Sequence, residues 1–170
     1  MRVGMARLRL QQLPEGWQVA NTEDNIQHQQ ALAWTTAQAL WSVEPARVQY
    51  LLMLLLQQAL RRSDPRQAAR AGLLLYTLRR MPDRLATCHA LAARLDQPEL
   101  LALSDWMTAA TQHAGHPADS LAHYRSAITR FEQECPESLW ESQQARAGLL
   151  DALWWCDDRA AVRTAWQDNL

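Results

Sequence analysis

Ala69-Arg70-Ala71-Gly72-Leu73-Leu74 recurs residue for residue as Ala145-Arg146-Ala147-Gly148-Leu149-Leu150. The two copies lie 145 − 69 = 76 positions apart, and Gln67 and Gln143-Gln144 lead into them. Self-similarity at a fixed offset is the mark of stacked supersecondary units, and this offset is about two units of roughly 34–40 residues, the size of an αα hairpin repeat. The strings run on into Leu-rich segments, so Gly72 and Gly148 are expected inside helices, where the missing side chain permits close crossing.

Composition supports the helical reading. The 170 residues are 48% hydrophobic, enough for one buried core. Glycine is scarce at 5 and phenylalanine occurs once, while Ala, Leu, Gln and Arg, all good helix formers, dominate. A net charge of −1 and a pI near 6.5 argue against nucleic acid or an anionic membrane as partner. The 17 cationic side chains are all Arg, so every cationic contact is a planar multi-donor guanidinium. Cys88, Cys135 and Cys156 are odd in number and widely spaced, which speaks against a disulfide framework or zinc site. The segment from Met1 to Leu13 has no apolar signal core, and the longest apolar run, Tyr50–Leu56, is too short to span a bilayer. A cytoplasmic protein without membrane insertion is expected.

Arg7-Leu8-Arg9-Leu10 and Trp17-Gln18-Val19 alternate around the turn residues Pro14-Glu15-Gly16. Residues 1–24 therefore read as a short β-like arm, either a hairpin or a tail packed on the first helix. Residues 25–170 read as a helical domain of about four αα pairs. Eight helices are predicted: Asn25–Ser42, Ala46–Arg62, Pro65–Arg80, a fourth ending at Leu95, Pro98–Gly115, Pro117–Cys135, Glu137–Trp155, and a last one capped by Asp157-Asp158. The second is apolar almost all round and is expected to be the most buried.

One unit, Leu101–Pro136, resembles a tetratricopeptide repeat. The family's small–aromatic–small spacing falls on Ser120, Tyr124 and Ala127, its turn glycine on Gly115 and its helix-ending proline on Pro136. Trp140 follows Trp106 by 140 − 106 = 34 residues, the family's period. The first-helix positions depart from the pattern, falling on Ser104, Met107, Thr108 and Thr111. The resemblance implies an all-α array of αα hairpins, a right-handed solenoid, packed through Gly72, Gly115, Tyr124, Ala127 and Gly148. The alternative fold is a compact orthogonal helical bundle. The resemblance further implies a non-enzymatic adaptor or chaperone that holds a peptide or helix of another protein in a concave groove. Small bacterial proteins of this shape serve as chaperones or assembly factors of secretion machinery.

No phosphate loop, nucleophile elbow or His-Glu-x-x-His motif occurs. His113, His116 and His123 with Asp119 come nearest to a metal set, but two of the histidines flank the Gly115 turn, where polar residues are ordinary. Cys88 and His89 are adjacent and point about 100° apart on a helix, so they cannot pair as nucleophile and base. No catalytic residue, metal or cofactor is expected. Arg66, Arg70 and Arg94 are candidates to grip an acidic partner. Arg61-Arg62 and Arg79-Arg80 lie at helix ends, where they offset the dipole. Trp154 and Trp155 cannot both face one core stripe, and the last helix still carries Val162, Ala165 and Trp166. Trp154, Trp155 and Trp166 are accordingly expected to dock on a partner or on a second copy. The competing expectation is a structural or regulatory subunit of an obligate complex.

Overall fold

The computed structural model describes residues 23–167, with side chains from residue 27 onward. Eight helices follow in order: α1 Glu23–Leu40, α2 Pro45–Arg61, α3 Pro65–Leu78, α4 Pro82–Leu95, α5 Pro98–His113, α6 Pro117–Glu134, α7 Leu139–Trp155 and α8 Arg159–Gln167. There is no strand among the described residues. The expected β-like arm lies outside them, except that its last two residues begin α1. No helix in this span is long and apolar enough to cross a membrane.

The punctuation is chemical. Helices α2 to α6 each begin on a proline, whose fixed φ suits the first turn and whose missing N–H costs nothing there. Asp64 caps α3 by accepting from the Gln67 N–H at 3.0 Å. Several helices stop by turning left-handed, at Ser63 (φ 54°), Arg80 (φ 52°), Asp96 (φ 47°) and Asp157 (φ 56°). None of these residues is glycine, the usual occupant of that conformation.

Each helix packs on its neighbour in sequence, and α3 with α5 and α5 with α7 add a second level of contact. Burial follows from this. The most buried helix is α3 rather than α2: Ala68, Ala69, Ala71, Gly72, Leu73, Leu74 and Leu75 are all inaccessible. Helix α3 is covered by α2, α4 and α5. Helix α2 packs mainly on α1 and α3, and Tyr50 and Leu60 stay exposed.

Gly72 and Gly148 do lie inside helices, and each meets a side chain of an adjacent helix. A methyl group at Gly72 would stand 2.5 Å from Sγ of Cys88 on α4. One at Gly148 would stand 2.6 Å from Cζ and 2.7 Å from Oη of Tyr124 on α6, well inside contact distance. Ser120, Tyr124, Ala127 and Phe131 form the buried face of α6. Gly115 is a correction to its expected packing role: it sits in the α5–α6 turn with an ordinary φ, and a methyl there would meet nothing within 4 Å.

These contacts rank three substitutions. Alanine in place of a helical glycine gains about 1 kcal/mol of propensity, while overpacking costs about 1–3 kcal/mol. Gly148→Ala should lose about 1–2 kcal/mol net, because an aromatic ring wedged in the core cannot step aside. Gly72→Ala should be milder, and Cys88→Ala should compensate it. Gly115→Ala should leave stability within about 0.5 kcal/mol. Urea denaturation of the variants checks this ranking, and a Gly148→Ala protein more stable than the parent would remove the close contact.

Candidate interaction surfaces

Two features stand out once the helices are placed: a polar and aromatic inner face, and an apolar end.

The inner face is built where α1, α3, α5 and α7 meet. Arg70 on α3 donates from Nη2 to Oε1 of Glu141 on α7 at 2.9 Å. Its Nε lies 3.2 Å from Oε1 of Glu99 on α5, near enough for an ion pair but without hydrogen-bond geometry. The guanidinium carbon rides 3.8 Å from the ring centroid of Trp34 on α1. Gln38, also on α1, donates to the same Glu141 oxygen at 3.3 Å. Arg66 completes the set, donating to Oε2 of Glu99 at 2.6 Å. That bond and the charge on Glu99 raise the pKa of Arg66. Glu141 is only 3% exposed; two guanidinium groups and two carboxylates balance there, as a buried charge requires.

Beside this network three indoles meet. Trp41, just past the end of α1, lies 5.5 Å from Trp140 and 6.0 Å from Trp106, and Trp106 lies 5.8 Å from Trp140. Two of the three pairs are edge-to-face, the arrangement that the ring quadrupole prefers. The second half of α1 thus lies over the inner edges of α3, α5 and α7 and closes that face.

The other end differs. Trp154 is 68% exposed, Trp155 69% and Trp166 60%, and no residue of α8 is buried. Trp154 borders a shallow hollow of about 150 Å³ formed with Asp157, Asp158, Arg159 and Val162. The three expected Trp anchors therefore share one end of the molecule. The three expected Arg anchors do not share a site: Arg66 and Arg70 are engaged by carboxylates of their own chain, and Arg94 stands exposed on the last turn of α4. The sequence reading named neither Glu99 nor Glu141. A usable signal existed for the first. Arg66 and Glu99 each follow the proline that opens a helix, 99 − 66 = 33 residues apart.

The remaining titratable groups are dispersed. His113 pairs with Asp151 at 2.9 Å and His123 lies 3.8 Å from Asp105. Among the described residues no group of three His, Cys, Asp or Glu could hold a metal ion. Cys88 packs under Gly72, and burial pushes its thiol up to about 11. His89 turns instead toward Ser104, its Nδ1 2.5 Å from the hydroxyl oxygen, and burial lowers its pKa. Burial, then the charge on Asp151, pushes the Tyr124 phenol up to about 12.

Comparison with protein-family profiles, curated sequences and solved structures found no match to this chain.

The network makes a quantitative prediction. Arg70→Ala strands Glu141 as a buried charge with only Gln38 beside it, and such a loss costs about 3–5 kcal/mol. The combined Arg70→Met, Glu141→Leu change removes both charges and should recover most of it. Chemical denaturation of both single variants and the double variant tests the coupling; a double-variant loss equal to the sum of the two single losses would mean that the residues act independently.

Proposed function

We propose that the chain is a non-catalytic, tetratricopeptide-like interaction module, an adaptor or chaperone that engages a helical or peptide segment of another protein. Two observations support the repeat register: the small–aromatic–small positions Ser120, Tyr124 and Ala127 are buried together, and Trp106 and Trp140, one period apart, touch. The observation that carries the binding assignment is the exposure of Trp154, Trp155 and Trp166 at one end. A single exposed apolar residue needs no explanation, but three exposed indoles concentrated on two consecutive helices point to an interaction site. Trp is also the residue most enriched among binding hot spots.

In this reading the inner face is structural, closed by α1, and the partner docks on the outer surface of α7 and α8. Charged residues beside Trp154 supply the polar rim that such interfaces carry. A second copy of the chain is one partner this end could take. The second reading, a subunit of an obligate complex, rests on the same exposed indoles, which would then be covered permanently.

Because the three indoles contribute little to the core, Trp154→Gln, Trp155→Gln and Trp166→Gln should each leave stability within about 0.5 kcal/mol. At least one should reduce partner capture or self-association by about tenfold or more. Affinity capture and sedimentation, read beside thermal unfolding, check this. Association unchanged in all three places the interface elsewhere, and loss of the fold makes the indoles core. Aggregation of the purified wild-type chain, cured by a co-expressed partner, would favour the obligate complex.

A further inference from the structure

The joint between α4 and α5 carries an open cleft, and the α6–α7 and α2–α3 joints carry hollows of about 360 and 400 Å³ at their outer sides. At the α6–α7 joint, Tyr124 presses against Gly148. At the corresponding place between α4 and α5 the facing residues are Ala86, Ala110 and Ala114, too small to meet, and a cleft of about 500 Å³ remains. That volume falls within the roughly 300–1,000 Å³ of small-ligand sites. The walls are mostly apolar, with Tyr76 from α3, Met81 just before α4 and Leu85 on it, and the lining hydroxyls of Thr77 and Thr111 donate to carbonyls of their own helices.

Two polar groups converge on the cleft. Arg80, an exposed residue, lines it and, among the described residues, makes no ion pair, a property it shares with Arg61, Arg79, Arg84, Arg94, Arg125 and Arg163. His89 lines it too. Its Nδ1 is tied to Ser104 on α5, which fixes the ring and leaves Nε2 as its remaining polar atom. Burial lowers the pKa of the ring, with the charge on Asp105 acting against it. In the tautomer with the proton on Nε2, Ser104 donates to Nδ1 and Nε2 is a donor. One unpaired guanidinium and one imidazole N–H above an apolar recess complement a single anionic head on a hydrocarbon body. A carboxylate suits this lining, because its two oxygens match the guanidinium fork and each can also accept from an imidazole N–H.

We propose that the α4–α5 cleft is a binding site for a small apolar carboxylate, its acid group held by Arg80 and His89 and its hydrocarbon body by Tyr76, Met81 and Leu85. This assignment is independent of the docking surface on α7 and α8, which lies on other helices. A recess between packed helices, as opposed to a trough along them, suits a small molecule better than a length of peptide.

The test uses the full chain and 4-phenylbutyrate as probe, with 4-phenylbutanamide as its uncharged counterpart, followed by calorimetry and by amide chemical shifts. Saturable binding of the acid is expected, with the amide at least tenfold weaker, and with shifts confined to the ends of α3 and α5 and the start of α4. Arg80→Gly removes the guanidinium at a left-handed position that glycine prefers, so the fold is retained while affinity falls tenfold or more. Arg80→Gln should lose a similar amount without changing the glycine content. Ala114→Leu, at an exposed position on the cleft rim, should block the site with thermal stability unchanged. Absence of saturable binding overturns the proposal. So does equal affinity for acid and amide, or affinity untouched by both Arg80 variants. A blocked peptide ending in a free C-terminal phenylalanine that bound far more tightly than phenylbutyrate, and lost that affinity with Arg80, would reassign the cleft to a peptide terminus and overturn the small-molecule assignment.

Discussion

Four helices converge on the Arg70 guanidinium. It reaches Glu141 of α7 and Glu99 of α5 from its place on α3, and Trp34 of α1 covers its face. Helices adjacent in sequence pack through apolar side chains, which are tolerant of small shifts in register. A buried charge is not tolerant. Glu141 must find its partners or pay the desolvation penalty alone, so the helix pairs are held at one relative setting. Only a guanidinium can serve two carboxylates and an indole at once; an ammonium has the charge but neither the fork nor the flat face. The network therefore sets how α1, α3, α5 and α7 lie over one another, and the Trp41, Trp106 and Trp140 cluster fills the space beside it.

That arrangement decides which surfaces remain for function. With Gln38 bonded to Glu141 and Trp41 seated on Trp140, α1 covers the face that the odd-numbered helices share. What remains is at the joints and at the end. Joint width follows side-chain size. Tyr124 and Phe131 fill the core side of the contact between α6 and its neighbours, while Ala86, Ala110 and Ala114 line the cleft between α4 and α5. Small residues do opposite things in the two places. A glycine opposite an aromatic makes a tight joint; an alanine opposite an alanine, on helices already fixed by their other neighbours, leaves a recess.

The helices were legible in the sequence to within about two residues at most ends, because proline openings and polar caps are local signals that tertiary packing does not override. The small–aromatic–small spacing at Ser120, Tyr124 and Ala127 was legible for a similar reason, since side chains three and four apart share a helix face. The ranking of α2 and α3 was not. An all-round apolar helix is buried only if other helices surround it, and how many neighbours a helix has is a property of the fold. The candidate surfaces split the same way. The exposure of Trp154 and Trp155 followed from the 100° between adjacent helical residues, although it extends to both of them. The Arg70 network did not follow, because its carboxylates come from helices one and two hairpins away. The α4–α5 cleft left no trace in sequence either, being made of alanines that look like any helix former.

The duplicated string shows how far neighbours outweigh sequence. In α3 its Ala69, Ala71, Leu73 and Leu74 are fully enclosed, and Gly72 faces the helix that follows. In α7 only Ala145 is enclosed, Ala147 is exposed, Leu149 and Leu150 are half covered, and Gly148 faces the helix that precedes. Arg70 anchors the inner network, while Arg146 pairs with Glu132 on the neighbouring α6. Six identical residues thus make a core in one place and a partly bare flank in the other. The difference lies in what covers them: α3 is enclosed by three helices, whereas α8 is short, buries none of its own side chains and covers α7 poorly. A helix that carries core chemistry without core burial retains unspent apolar surface, at about 25 cal/mol per Å². Trp154 and Trp155 end that same helix, both exposed, and the free energy of their apolar surface is recovered only when another surface is laid against it.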